Sequence, residues 1–85
     1  MEVIVGRIYK HYKGNYYIVE NIAIHSETGD KMVIYRALYE DGKVYARPYN
    51  NFIERVNKGN QEFRFQLQNI KSAVKRLTVC TSKML

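Results

Sequence analysis

The chain has 85 residues and a formal charge of +6, which leaves room for one domain and for no second core. No segment approaches the roughly 18 consecutive apolar residues of a membrane-spanning helix, and the first residues lack the basic and apolar regions of a signal peptide. The single cysteine, Cys80, excludes an intramolecular disulfide. We therefore expect a soluble, cytoplasmic protein.

The positive charge is concentrated at one end of the chain. Residues 1–56 contain eight Lys and Arg and seven Asp and Glu, a net charge of +1. Residues 57–85 contain six Lys and Arg and one acid, a net charge of +5. A basic tail on a near-neutral domain is weaker evidence for nucleic-acid binding than a basic folded face would be.

Glycine and polar turn signals divide the first two thirds of the chain into short segments rich in valine, isoleucine and tyrosine, a pattern typical of β-strands. The predicted strands are Val3–Tyr9, Tyr16–His25, Met32–Tyr39, Val44–Arg47, Ile53–Val56 and Glu62–Leu67. Pro48 ends the fourth strand, and residues 49–52 are predicted to form a single helical turn. The predicted fold is mostly β, a small SH3-like barrel of five to six short antiparallel strands over residues 1–67.

Residues 68–85 form a basic tail in which the hydrophobic period becomes helical. Ile70, Ala73, Val74 and Leu77 recur at helical spacing, which predicts a C-terminal helix over residues 69–78. Packing on the domain, or a homodimer through this segment, is the favoured role. The alternatives are a disordered tail and a contact with nucleic acid or a membrane surface.

Two predicted hairpins assign side chains to the two faces of the sheet. Asp41-Gly42, as a two-residue type I′ turn, places Arg36 opposite Arg47. A four-residue loop over residues 27–30 places His25 opposite Met32. Alternation then gives one apolar face, the predicted core, on which Glu20 is the exception. Its apolar members are Ile18, Ile22, Ile24, Val33, Tyr35, Ala37, Tyr39, Val44 and Ala46.

The opposite face mixes aromatic and cationic side chains and is the predicted ligand surface. The candidate binding residues on it are Tyr17, His25, Arg36, Tyr45 and Arg47. Like charges directly across a ladder are destabilising. The two arginines therefore need solvent around them, a carboxylate such as Glu54 between them, or an anionic ligand that suits the guanidinium fork.

A second candidate group lies at the first predicted turn. His11, Tyr12 and Lys13 cluster there, beside Tyr9. In SH3-like barrels, aromatic residues near this turn often line a groove that takes an extended peptide. The alternative for the two tyrosines is that they close the end of the barrel.

The sequence predicts no catalytic residue, metal ion or cofactor. His25, Ser26 and Glu27 are the residue types of a hydrolytic triad, but neighbours along a strand point to opposite faces and cannot meet. The two histidines and Cys80 lack the spacing of a zinc site.

Several separated motifs resemble one bacterial family of small domains, the domain of unknown function 1653. They are Gly6–Gly14, Ala23–Gly29, Val33–Tyr39, and Arg47-Pro48 with Phe52. The resemblance covers residues 6–56 and implies a compact β fold. It implies no established activity and no catalytic residue.

The leading hypothesis is therefore a binding module that recognises a protein segment or a small anionic ligand through its aromatic and arginine face. The alternative is an RNA- or DNA-binding domain, with aromatic residues for stacking and the basic tail for charge. An enzyme is the least supported class.

Overall fold

The computed structural model describes residues 2–70 and contains seven strands and one helical turn. These elements are β1 (Ile8–His11), β2 (Tyr16–Ile24), β3 (Lys31–Ala37), β4 (Val44–Pro48), α1 (Tyr49–Phe52), β5 (Arg55–Lys58), β6 (Gln61–Phe63) and β7 (Phe65–Leu67). The mostly β prediction and the helical turn after Pro48 are confirmed. The predicted C-terminal helix falls almost entirely outside the described residues. No helix in the described part is long and apolar enough to cross a membrane.

The strands form two antiparallel sheets that stay open. Five strands pair in the order β4-β3-β2-β1-β7, and β5 pairs with β6 in a separate ribbon. Strands β4 and β7 are the two edges of the large sheet and do not pair with each other, so the predicted barrel is not closed. The chain leaves β4 through α1, and β5 and β6 then pair only with one another, which leaves no strand to bridge the two edges.

The predicted register between β3 and β4 is wrong. Arg36 pairs with Val44, and Arg47 pairs with Val33. A type I′ turn needs positive φ at both central residues, but here positive φ occurs at Glu40 (50°) and Gly42 (65°), within a six-residue connection. The pairing is displaced by an odd number of residues, which turns β4 over. Arg36 and Arg47 therefore lie on opposite faces of the sheet.

A β-bulge in β2 changes the face assignment a second time. Val19 pairs with Tyr35 and Asn21 pairs with Ile34, so Glu20 is an extra residue that the ladder skips. The bulge explains why Glu20 seemed misplaced on the predicted core face. It also brings Tyr17 and Val19, predicted on the opposite face, to the same side as Tyr35. We call this side the inner face, and the side with Arg36 and Val44 the outer face.

The core lies on the inner face. Its buried residues are Val3, Tyr9, Val19, Val33, Tyr35, Ala37, Phe52 and Phe65. Ile8 is also buried, but it pairs with Ile18 on the outer face. Burial is confirmed for the predicted Val33, Tyr35 and Ala37. It is wrong for Val44 and Ala46, which the β3–β4 register turns to the outer face, and for Ile24, which is exposed at the end of β2 opposite Lys31.

Aromatic rings fill the centre of this core. Phe52 stacks on Phe65 with ring centroids 4.1 Å apart, and the edge of Tyr9 meets Phe52 at 5.4 Å. Such pairs contribute about 0.5–1.5 kcal/mol each beyond the burial of their surface. The Tyr9 hydroxyl accepts a hydrogen bond from the Ile4 amide at 2.9 Å, which satisfies the one polar atom of this buried side chain.

Candidate functional site

A cleft of about 300 Å³ opens on the inner face of the large sheet. We call it the tyrosine cleft, because four tyrosines contribute to its walls. It is lined by His11, Lys13, Asn15, Tyr17, Tyr35, Tyr39, Tyr45, Arg47 and Phe65. Alternation points one side chain toward it from each of β1, β2, β3 and β7, and two, Tyr45 and Arg47, from β4. The lining contains cations and neutral groups and no carboxylate.

Tyr17 is the hub of the aromatic wall. The edges of neighbouring rings meet its ring at centroid distances of 5.3 Å for Tyr35, 5.6 Å for Tyr39 and 6.4 Å for Tyr45. The hydroxyls of Tyr17 and Tyr39 share a hydrogen bond of 3.0 Å. This bond raises the pKa of the Tyr39 phenol above its ordinary value, which already lies well above physiological pH. The wall therefore offers rings and hydroxyls without adding negative charge.

Arg47 forms part of the cleft lining beneath these rings. Its Nε donates to the Tyr35 hydroxyl at 3.1 Å, and its Nη1 donates to Oδ1 of Asn51 at 2.6 Å. Its guanidinium carbon lies 5.2 Å from the centroid of the Phe65 ring. Both acceptors are neutral, and within residues 2–70 no carboxylate lies within ion-pairing distance of Arg47. The cleft thus holds a fixed positive charge that no carboxylate among the described residues neutralises.

His11, the last residue of β1, lines one end of the cleft. Its ring stacks on Tyr12 at 4.5 Å and meets the edge of Phe65 at 4.9 Å. Its Nδ1 accepts a hydrogen bond from the Lys13 amide at 3.1 Å. Burial lowers the pKa of His11, and the nearby charges of Arg47, Arg64 and Lys13 lower it further.

Of the residues predicted to bind, the cleft brings together five. They are Tyr17, Tyr45, Arg47, His11 and Lys13. Tyr12 stacks on the His11 ring and does not line the cleft. Whether any of them binds a ligand stays a prediction.

Two predicted residues lie elsewhere. His25 follows the end of β2, and its Nδ1 accepts hydrogen bonds from the Glu27 and Thr28 amides, so it stabilises its own loop. Arg36 lies on the outer face, where it bonds both carboxylate oxygens of Glu20 at 2.7 and 3.3 Å and the Gly42 carbonyl at 2.9 Å. Glu20, not Glu54, is the carboxylate that partners an arginine of the predicted pair.

The prediction missed Asn15, Tyr35, Tyr39 and Phe65 as lining residues. Tyr35 and Tyr39 were assigned to the core, and a buried tyrosine ring can still present its hydroxyl to a cleft. Phe65 reaches the cleft because it pairs with His11 across β1 and β7. The sequence did contain one signal of the missed bulge. Glu20 is a charged residue on an otherwise apolar strand face, and a bulge produces such a break in the alternation.

Metal chemistry finds no support among the described residues. Within residues 2–70, no three His, Cys, Asp or Glu side chains lie close enough together to hold a metal ion.

Comparison with known proteins gives a family and a solved relative. No curated protein matches the sequence. A crystal structure of a DUF1653 protein from Bordetella bronchiseptica is similar, with 29% identity, a TM-score of 0.65, and coverage of 74% of this chain and 85% of that one. The model of the family described as "Protein of unknown function (DUF1653)" matches residues 7–67. The resemblance predicted from the sequence motifs is confirmed, and the chain belongs to the DUF1653 family.

Proposed function

We propose that the protein is a binding module whose tyrosine cleft accepts an anionic group, a carboxylate or a phosphate, carried on a planar or apolar ligand. The uncompensated guanidinium of Arg47 in the cleft carries this proposal. A partly buried charge without a carboxylate partner is costly, and an anionic ligand would supply the missing partner.

The remaining hydrogen-bonding capacity of Arg47 supports an anion. Nε and Nη1 are occupied by Tyr35 and Asn51, and these bonds hold the guanidinium plane in one orientation. Nη2 makes no hydrogen bond within the described residues, which leaves a charged donor for a ligand oxygen. Lys13 at the rim and His11 when protonated would add positive charge to the same space.

The aromatic wall supports a ligand with an apolar or planar body. The rings of Tyr17 and Tyr45 flank the cleft, and Tyr45 is 41% exposed. Edge and face contacts with such rings favour aromatic or aliphatic groups. The tyrosine hydroxyls add neutral donors, which suits a phosphate or carboxylate better than a cation.

Calorimetric titration with phenyl phosphate and benzoate tests the proposal. Both should bind, whereas benzyl alcohol and benzylamine, which share the ring but lack the negative charge, should not. Arg47→Gln should weaken phenyl phosphate binding about 10- to 100-fold, because a hydrogen bond to a charged group is worth about 1.5–3 kcal/mol.

Arg36→Gln is the matched control, because it removes an arginine from the outer face of the same sheet. Its affinity for phenyl phosphate should equal that of the unmodified protein. Equal weakening by both variants would show that general positive charge, not the cleft, attracts the probe. Thermal unfolding of each variant separates lost binding from lost folding.

A further inference from the structure

We propose that β4 is the docking edge for an extended, acidic segment of a partner protein, which joins the sheet as an additional strand and places an acidic side chain in the tyrosine cleft. This inference rests on the proposed function, since the cleft supplies the site for the acidic group. It adds the class of the partner and its mode of binding.

The backbone of β4 has an unpaired edge. Strand β4 ends the order of the large sheet, and no other described strand pairs with its outer side. The Ala37 amide donates to the Lys43 carbonyl at 2.9 Å, so Ala37 and Lys43 are a hydrogen-bonded pair of the β3–β4 ladder. Bonds of an antiparallel ladder alternate, so the amides and carbonyls of Val44 and Ala46 point away from β3.

The first half of this edge lacks the usual protection against pairing. Edge strands are commonly shielded by a charged side chain, a proline or a bulge in the middle of the strand. The first three residues of β4, Val44-Tyr45-Ala46, are exposed and uncharged and lie in a regular ladder, and the charged Arg47 follows them on the inner face. Pro48 lies at the end of the strand, where it limits the length of an added ladder without blocking its centre.

The two sides of β4 differ, which predicts the sequence pattern of the added strand. Tyr45 and Arg47 lie on the inner face at the cleft, so every second side chain of the partner should be acidic. Val44, 46% exposed, and Ala46 lie on the outer face. The alternate side chains of the partner should therefore be apolar. Addition of a strand to a sheet edge with side-chain pockets for alternate residues is a recurring mode of peptide recognition.

Charge favours an acidic partner over a second copy of this chain. The protein carries a formal charge of +6, and its cleft contains cations without a carboxylate. Pairing of β4 with β4 of a second copy would bring two such cationic clefts together. An acidic segment instead meets Arg47 and Lys13 with opposite charge.

Amide hydrogen exchange followed by NMR tests the inference, with a labelled peptide of alternating valine and glutamate as the probe. Binding should slow exchange of the Val44 and Ala46 amides by about tenfold or more, since they gain bonds that the ladder of the unbound protein does not supply. Peptides N-methylated on one set of alternate amides should lose binding, whereas methylation of the other set should leave it unchanged. A peptide of alternating valine and lysine is the charge control and should not bind.

The variants separate the edge from the cleft. Arg47→Gln should weaken the valine–glutamate peptide by about tenfold or more, as for phenyl phosphate, and Arg36→Gln should leave its affinity unchanged. If phenyl phosphate binds but the peptide does not protect Val44 and Ala46, the edge inference is overturned and the proposed function stands. If neither probe binds, both are overturned. Concentration-dependent protection without peptide, with a dimer in sedimentation equilibrium, would assign the edge to a second copy and also overturn the inference.

Discussion

At the scale of single residues, the environment of His11 links the cleft to pH. Burial and the charges of Arg47, Arg64 and Lys13 favour its neutral form in the folded protein. The unfolded chain takes up this proton near pH 6.5, and the folded protein does so only at lower pH. The unfolded state therefore binds more protons in that interval, and the free energy of unfolding falls as the pH falls from about 6.5 toward the lowered pKa.

We predict this loss of stability in urea denaturation curves measured at intervals from about pH 7.5 down to pH 5.5, a range chosen to stay above the titration of most carboxyl groups. His11→Gln should flatten the profile. An unchanged slope in the His11 variant would mean that other groups cause the dependence.

An anion in the cleft should reverse the preference of His11. A bound negative charge favours the protonated imidazole, so by linkage the affinity should rise as the pH falls through the same interval. Benzenesulfonate is the suitable probe, because its charge does not change in this range. Constant affinity between these pH values would place the anion away from His11.

Residue identity alone indicated part of the site. A mixture of aromatic and cationic residue types marked Tyr17, Tyr45 and Arg47 as candidates, and they do share one face, although only because two register errors cancelled. Tyr35 was assigned to the core, and its ring is buried there, but its hydroxyl accepts the hydrogen bond that orients Arg47. The burial pattern of the sequence can assign the ring of such a tyrosine to the core, but it does not indicate that the hydroxyl also belongs to the site.

At the scale of elements, turn length decided where the sequence prediction failed. The boundaries of β2 were predicted within one residue, because a long run of β-forming residues between two turn signals is unambiguous. The Asp41-Gly42 turn was not, because Glu40 takes the left-handed conformation and Arg36 holds the Gly42 carbonyl. The bond from Arg36, six residues before Gly42, stabilises a longer connection that the Asp41-Gly42 dipeptide alone does not indicate.

Two errors of register cancelled for part of the site. The bulge at Glu20 turned Tyr17 over, and the longer β3–β4 connection turned Tyr45 and Arg47 over. These three therefore remained on one face. The assigned face of Arg36 did not change, so Arg36 and Arg47 lie on opposite faces of the sheet. Side chains alternate between the two faces along a strand. A register error of an odd number of residues therefore moves every side chain of that strand to the other face.

The β5–β6 turn gives a test of turn geometry. Gly59 has φ of 59°, and a Cβ there would overlap the carbonyl oxygen of Tyr12. Gly29 in the β2–β3 loop has φ of 78° with open space around it. Gly29→Ala should cost about 1–2 kcal/mol from left-handed strain alone, and Gly59→Ala should cost more than that.

Urea denaturation of both glycine variants measures the difference. Equal destabilisation would show that the turn relaxes away from Tyr12 and that the contact is not held in solution.

At the scale of the whole molecule, the distribution of charge distinguishes binding of a small anion in the cleft from binding of a nucleic acid. Residues 2–70 hold ten Lys and Arg and eight Asp and Glu, a net charge of +2, so the described part is close to neutral. The basic character of the chain therefore belongs to its C-terminal end. The mostly β class also followed from composition and turn spacing. The open sheet did not, because closure depends on which strands meet at the edges.

Salt dependence tests this distinction. Phenyl phosphate should lose only a few-fold in affinity between about 50 and 500 mM salt, because one anionic group meets one or two cations. A single-stranded oligothymidylate that neutralised several lysines would show a log–log slope of about −0.7 per contacted phosphate. Tight oligothymidylate binding with such a slope would favour the nucleic-acid alternative.

A crystal structure of the protein grown with phenyl phosphate would locate the anion directly. We expect phosphate oxygens within hydrogen-bonding distance of the Arg47 guanidinium and the phenyl ring against Tyr17 and Tyr45. Phosphate bound at Arg36 or Lys58, with the tyrosine cleft holding only solvent, would contradict the assignment of the cleft as the binding site.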